Sequence, residues 1–577
     1  LFRVCNIMYK RSMKTISLFN NFRARLLFLS FFTGIIGGFI AIAYRQVLEI
    51  IETTRLRIFT EREPATMLLW VFAALLFAIL VEYMVKKEPL ISGSGIPQIK
   101  AYLINQAHQQ PIKGLFLKFS GGAMGIFNGL SLGREGPSIQ LGGLAGQFLG
   151  ERFGQTELEK RTLVSAGASV GLAAAFNAPL AGVLFALEEL YRNFSPLIIL
   201  ACTLSAVTGT LITNVIYGFR PVFPIFINTA FPLKHYWHLV VLGIVCGIIG
   251  ALFNTMLISF SRAYKRIKIG KVLIPTLIAL VLMFFFPIVL GGGHRLIEEL
   301  LTGHQTLLML LVILLVKMFF TFASYGTGIP GGIFLPMLSI GALLGAIYYS
   351  CAGLLSGFDA SLEQAFILFG MVGLFTAIVK APVTGIVLLV EMSRSVPSML
   401  PLAVVAFSAY LTTEIVKSEP VYEILLKNML KARKAANGAD GVTSKIDGEI
   451  DGDSSAISGV SLRGASTRSS QSADEVSAIQ SSGKVEKRAG HHSRTKPKSR
   501  YGKTLLELSI PQGSVWNGKA LKEIALPGGA AALSIIRGEE EINLDPESVL
   551  YEGDMLIILS DVQAVEAVVS LFARTVI

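Results

Sequence analysis

Long apolar runs alternate with short, glycine-broken ones along the first three quarters of the chain. Leu27 to Tyr44, Met67 to Val81, Val272 to Leu290 and Thr306 to Val316 are nearly free of charge. They predict membrane helices, because a chain crossing hydrocarbon must satisfy its backbone internally. Within the shorter runs one spacing occurs twice: a glycine, a proline four residues on, then glycines at nine and thirteen. Gly133, Pro137, Gly142 and Gly146 are repeated at a constant offset by Gly332, Pro336, Gly341 and Gly345. A second pair agrees, since Ala178-Pro179, Gly182 and Glu188 match Ala381-Pro382, Gly385 and Glu391. The pattern predicts a duplicated unit, with halves near 27–220 and 235–420 forming inverted repeats. Short, broken segments at corresponding places in two halves point to a transport site near the bilayer midplane.

Past about residue 430 the pattern changes. Residues 435–499 are rich in Gly, Ser, Ala, Asp and Lys and predict a flexible cytoplasmic linker that buries no core. From 501 to 577 β-type runs return at Leu505 to Ile510, Ala532 to Ile536 and Met555 to Leu559. Turn signals fall at Pro527-Gly528-Gly529 and Gly553-Asp554, and a helix from about Val562 to Ala573 completes a small α+β domain. The expected fold is therefore an all-α polytopic membrane protein with a small cytoplasmic α+β domain at its C-terminal end.

Composition supports this. Of 577 residues 52% are hydrophobic and only 16% charged, against about 25% charged in ordinary soluble domains. The net charge of +12 does not imply nucleic acid, because no basic helix or aromatic platform accompanies it. The basic residues instead flank the membrane region: Lys10, Arg11, Lys14, Arg23 and Arg25 before it, and Lys427, Lys431, Arg433 and Lys434 after it. They place residues 1–26 and the C-terminal end in the cytoplasm. The first apolar run has the length of a true span and no cleavage motif, so it is expected to remain as a helix. Cys5, Cys202, Cys246 and Cys351 are scattered and read as reduced thiols, buried where the chain is apolar. No metal spacing, cofactor motif or nucleophile-base pair stands out, so neither a metal nor a cofactor is expected and the chain does not read as an enzyme. His235 and His238 flank Tyr236-Trp237 and fit an interfacial aromatic belt better than a metal site.

Three glycine-proline turns carry the candidate chemistry: Gly93-Ser94-Gly95-Ile96-Pro97, Gly133-Arg134-Glu135-Gly136-Pro137 and Gly328-Ile329-Pro330-Gly331-Gly332-Ile333-Phe334. Each lets backbone approach a ligand and starts a helix whose free N–H groups and dipole favour an anion. Such a site holds negative charge without a buried lysine and so releases it readily. Ser94 adds a neutral hydroxyl. Lys118 and Lys317, in apolar helices, read as structural lysines, and Arg134 as a brace for its loop. Glu135 sits in the middle of a turn built for anions, where the second copy carries Phe334. A carboxylate there competes with the anion for the same donors. Anion entry then favours protonation and protonation favours anion entry by the same factor.

In the order GSGIP, GREGP, GIFxP and a final tyrosine, Tyr422 in Glu419-Pro420-Val421-Tyr422, residues 27–430 resemble the CLC family of chloride channels and proton-coupled chloride exchangers. The resemblance implies that Ser94 and Tyr422 donate hydroxyls to a central chloride, within the turns carrying Gly95, Ile96 and Gly136. It also implies that the Ile333 and Phe334 N–H groups complete the cage and that Glu135 is the external gate. Glu189 falls on the internal proton-transfer glutamate of many exchangers; on the residues alone, Glu188 and Glu189 could both end a helix facing water. Gln98 and Lys100 depart from the acidic residues that often follow GSGIP in bacterial exchangers. Further implications are a homodimer with one pathway per subunit, in contact with membrane lipid in a bacterial inner membrane. Ser94 and Tyr422 disfavour fluoride, and Ser94 disfavours nitrate. Proton-coupled chloride antiport is the expected function, with a passive chloride channel gated by voltage or pH as the alternative and a membrane-anchored ligand sensor as the remote one. The C-terminal segment, with Gly518-Lys519-Ala520-Leu521-Lys522-Glu523 and Leu550 to Leu556, resembles the TrkA-C domain. Such domains often dimerise, and some bind small molecules, nucleotides among them.

Overall fold

The computed structural model describes residues 22–439, with breaks at 192–194, 220, 224, 226, 228–230, 304, 357–358 and 360–361. It also describes most of 503–571, with breaks at 511–513, 538–539, 552, 562–563, 565–566 and 569–570. Residues 1–21, the segment from 440 to 502 and most of the expected last helix lie outside the described residues.

The first half runs α1 (Phe22–Glu61), α2 (Pro64–Lys87), α3 (Ile96–Leu103), α4 (Pro111–Phe127), α5 (Glu135–Phe153), α6 (Glu157–Phe176), α7 (Pro179–Phe185) and α8 (Pro196–Tyr217). The second half repeats the series as α9 (Tyr236–Tyr264), α10 (Leu273–Phe285), α11 (His294–Thr302), α12 (Leu307–Gly326), α13 (Phe334–Ser356), α14 (Glu363–Val379), α15 (Pro382–Ser393) and α16 (Met399–Ile415). A last helix, α17 (Val421–Ala439), follows. It continues past residue 435, where the linker was expected to begin, because Lys431 to Ala436 are all helix formers. Among the described residues seven helices are long and apolar enough to cross a membrane. The others are short, rich in glycine or, like α17, polar.

Punctuation is repeated as well as length. One-turn 3₁₀ segments, Pro89–Ile91 and Pro287–Val289, precede Gly95 and Gly293, which cap α3 and α11 in the left-handed region at φ 94° and 98°. α6 and α14 both end on left-handed residues, Asn177 and Lys380, before an Ala-Pro step that starts the next helix.

The duplicated lysines close each half's turn in the same way. Lys118 Nζ donates to the Ile91 and Gly93 carbonyls at 2.8 and 2.6 Å, and Lys317 Nζ to those of Val289 and Gly291 at 2.9 and 2.8 Å. Both side chains are fully buried. An ammonium has three donors, and here two of them hold irregular backbone carbonyls.

The halves also exchange contacts. Glu188 accepts from the Val383 and Thr384 N–H groups and from the Thr384 hydroxyl, at 3.3, 2.7 and 2.7 Å, at the start of α15. Glu391 does the same for α7, accepting from the Leu180 and Ala181 N–H groups at 3.1 and 2.8 Å. Each half thus caps a helix of the other. Glu188 does not simply face water, as one reading of the sequence allowed; it satisfies orphan helix donors and the helix dipole of the opposite repeat.

His238 is buried and its Nδ1 lies 2.9 Å from the Tyr348 hydroxyl, while Trp237 stacks on it with ring centroids 3.6 Å apart. Cys202 and Cys246 are buried, whereas Cys351 is exposed.

The C-terminal unit has its own core, with Trp516, Ile535, Leu550, Leu556 and Ile558 among its buried residues. Its sheet has the order β1-β4-β2-β3, with β1 (Lys503–Ser509), β2 (Ala530–Arg537), β3 (Glu540–Asn543) and β4 (Met555–Asp561) all pairing antiparallel. Arg537 forks onto Asp554 with two 2.8 Å bonds, and the Tyr551 N–H adds a third at 2.8 Å.

Candidate functional site

All three glycine-proline turns meet at one place. Gly133 and Gly332, repeat-related residues, form an isolated antiparallel bridge, with N–H···O distances of 2.7 and 2.8 Å in the two directions. The first turn joins the third. The Gly93 N–H donates to the Gly328 carbonyl at 3.2 Å, the Gly331 N–H to the Gly93 carbonyl at 3.0 Å, and the Ser92 hydroxyl to the Gly328 carbonyl at 2.7 Å. At the junction a Cβ on Gly136 would stand 2.8 Å from the Ser94 carbonyl oxygen and 3.1 Å from the Gly332 Cα. Only glycine admits that approach. Gly95 is fixed twice over, by its φ of 94° and by Gln140, whose side chain a Cβ would meet at 2.5 Å.

Helix starts surround this junction. Ile96 begins α3, Glu135 and Gly136 begin α5, and Phe334 begins α13, directly after Ile333. The first N–H groups of a helix have no partner within it, so three positive helix ends share one buried region. Ile96, Gly136, Ile333 and Phe334 are all buried, Ile96, Ile333 and Phe334 completely. Phe334 packs against Phe176, Phe185 and Phe375, with ring centroids 5.2, 6.2 and 5.0 Å away. That aromatic wall holds the start of α13 in a dry setting, where electrostatic interactions are stronger than in water.

Two hydroxyls reach the same region. Ser94 is 1% exposed. The Tyr422 hydroxyl, at the start of α17, is buried without a hydrogen-bond partner among the described residues. A buried hydroxyl that meets no protein acceptor is a donor left for a ligand. Tyr422 lies within electrostatic reach of both Glu135 and Glu189. Sequence reasoning missed Tyr325, at the end of α12, whose hydroxyl lies beside Ser94. Nothing in a tyrosine near the end of an apolar helix signals that contact.

Glu135 is wholly buried. Its carboxylate faces its own N–H and that of Leu335 on α13, yet neither oxygen makes a well-formed hydrogen bond to a described residue. Arg134 Nε lies 3.8 Å from Oε1, near enough to bias the local potential and too far to clamp the group. A carboxylate pointed at the start of the partner repeat's helix, and loosely held there, stands where an anion would. Glu189 is 2% exposed on the π-helical turn Ala186–Tyr191 that continues α7. Its Oε1 accepts from Lys100 Nζ at 2.8 Å, so it does not end a helix in water.

Residues 77–414 match the family model for voltage gated chloride channels, and residues 505–573 that for the TrkA-C domain. The H(+)/Cl(-) exchange transporter ClcA of Vibrio cholerae serotype O1 is 33% identical over 428 residues, 71% of this chain and 90% of the relative. The protein of the same name from Salmonella paratyphi A is 31% identical over 431 residues, covering 72% and 90%. Among solved structures, a slow cyanobacterial Cl-/H+ antiporter aligns with a TM-score of 0.67 and 28% identity, over 70% of this chain and 98% of that one. A eukaryotic CLC transporter shares the fold, with a TM-score of 0.60 and 22% identity over 70% of this chain and 74% of that one. The four ordered motifs, the duplicated helices and these matches agree: the chain is an integral membrane protein of the voltage gated chloride channel (CLC) family with a TrkA-C domain near its C-terminal end.

Proposed function

We propose that the protein exchanges chloride for protons across the membrane, as its curated relatives are named for doing. The observation that carries this reading is the buried, loosely held carboxylate of Glu135 among three helix starts. Chloride would lie among the Ser94 and Tyr422 hydroxyls and the N–H groups of Ile333 and Phe334, with Gly95, Ile96 and Gly136 forming the wall. When Glu135 is charged it takes the outer anion position itself. When it takes up a proton it no longer competes for the N–H groups, and swings toward external water as chloride enters. Glu189, reached from the other side of Tyr422, receives protons from the cytoplasm. Family membership supports a homodimer with one pathway per subunit, the bacterial relatives an inner-membrane location, and the basic residues flanking the membrane region both termini in the cytoplasm.

The test is proton movement driven by a chloride gradient in proteoliposomes. Wild-type protein is expected to move protons against the chloride flow. Glu135→Gln and Glu189→Gln are each expected to keep chloride flux and lose proton transport by about a hundredfold or more, the scale of a removed proton-transfer group. Chloride flux without proton movement in the wild type would leave passive conduction instead.

A further inference from the structure

One ammonium joins the elements that carry the inner half of the site. Lys100, on α3 behind Ser94 and Gly95, donates to Glu189 Oε1 at 2.8 Å and to Glu423 Oε1 at 2.5 Å. Glu423 follows Tyr422 on α17. Lys100 is 4% exposed, the Glu189 side chain 3% and the Glu423 side chain 13%. The two carboxylates are therefore held side by side on one cation, the inner one sealed and the outer one part-way to water.

Other charged groups stand on the elements packed against this cluster. On the turn after α7, Glu188 is engaged by Val383 and Thr384. On α17 stands Tyr422, while Lys427 pairs with Glu419 and Arg433 donates to the Gln106 carbonyl. From α5 comes the uncharged Gln140, bonded to the Leu90 carbonyl and to Gln109. α6 has no ionisable side chain from Thr162 to Phe176.

We propose that Glu423 is a second internal proton-transfer residue, and that Lys100 is the relay residue that joins it to Glu189. A proton taken from cytoplasmic water by the Glu423 carboxylate passes across the shared ammonium. Lys100 gives one N–H proton to Glu189 and regains one from Glu423, so that charge and atoms balance and the cation is restored. The ion pair also ties α3 to α17, the helices that present Ser94 and Tyr422. The state of the relay is thereby felt at the chloride. This inference rests on the antiport reading.

Proteoliposomes loaded at a series of internal pH values test it by proton and chloride flux measured together. Glu423→Gln is expected to lower the proton-to-chloride ratio by about tenfold, a modest share of what a positioned proton-transfer group contributes. Lys100→Met leaves two carboxylates adjacent without their common cation, so the internal-pH profile of proton flux should move toward alkaline pH, since like charges favour protonation. Lys100→Arg keeps the cation but not a proton it can give up, so it should restore the profile while the ratio stays lowered. Chloride flux in the same vesicles reports folded protein. A Glu423→Gln ratio and profile equal to wild type would overturn the relay, and equal loss of both ions in Lys100→Met, with no profile change, would overturn the role of Lys100 in it. Wild-type vesicles that move chloride without protons would overturn this inference and the antiport reading together.

Discussion

At the scale of single residues, the site was legible where a motif marks it and illegible where a partner lies far along the chain. Ser94, Glu135 and Phe334 could be picked out because glycine and proline around them force a turn. Glu188 could not be assigned, because its donors are Val383 and Thr384 in the other half. Glu391 was visible only as a repeat match, and its bonds to Leu180 and Ala181 give the match its physical reason. Gln98 and Lys100, noted as departures, are explained differently: Gln98 donates to the Ser92 carbonyl at 2.7 Å, while Lys100 replaces an acid with a cation that two other acids require. In the C-terminal unit, Asp554 carries a pH dependence. Burial by itself would raise its carboxyl, but the Arg537 fork and the Tyr551 N–H outweigh burial and hold it below its ordinary value. Its stabilising effect is then complete above the unfolded value and fades as pH falls through the lowered folded one. Asp554→Asn is expected to speed hydrogen exchange of β2 and β4 amides in the full-length protein at neutral pH, and to flatten the acid limb of that dependence.

At the scale of elements, the repeated glycines have a second use that spacing did not reveal. Gly142 and Gly146 were read with the helix start they follow, but they lie where α5 crosses α6. A Cβ on Gly142 would come within 2.1 Å of the Gly167 carbonyl oxygen, and one on Gly167 within 2.1 Å of that of Gly142. The second half repeats the crossing: a Cβ on Gly345 would meet the Phe366 carbonyl oxygen at 2.0 Å, and one on Gly370 that of Gly341 at 2.2 Å. These backbones touch, which is how helices associate where lipid offers no hydrophobic drive. Gly167→Ala is therefore expected to destabilise the protein by about 1–3 kcal/mol, the usual cost of overpacking, read as a lower thermal midpoint in detergent. An alanine at exposed Gly528, where a Cβ meets nothing within 4 Å, is the control. Strand β3 was missed because Glu-Glu-Ile-Asn lacks the alternation of a strand; pairing with β2 makes it one.

At the scale of the whole molecule, apolar run length gave the membrane region and constant offsets gave the duplication, since both are one-dimensional properties. The convergence of three turns on one point was expected from their chemistry, but the bridge between Gly133 and Gly332 is a long-range contact that only the folded chain exhibits. The two compact units have separate cores. A chain ending at residue 439 is accordingly expected to transport chloride at a rate within about threefold of the full-length protein, since the site is built wholly from the first unit. Loss of flux in proteoliposomes from a well-folded truncated chain would assign the second unit a direct part in transport.

The reciprocal carboxylate caps have a consequence for biogenesis. When the ribosome has delivered the first half, the start of α7 is still without Glu391, and Glu188 is without its donors on α15. Those groups must wait in the translocon or lipid for roughly two hundred further residues to be made. The membrane region thus reaches its committed form only once most of its second half has been made, and quality-control proteases have a long interval in which to remove chains that stall.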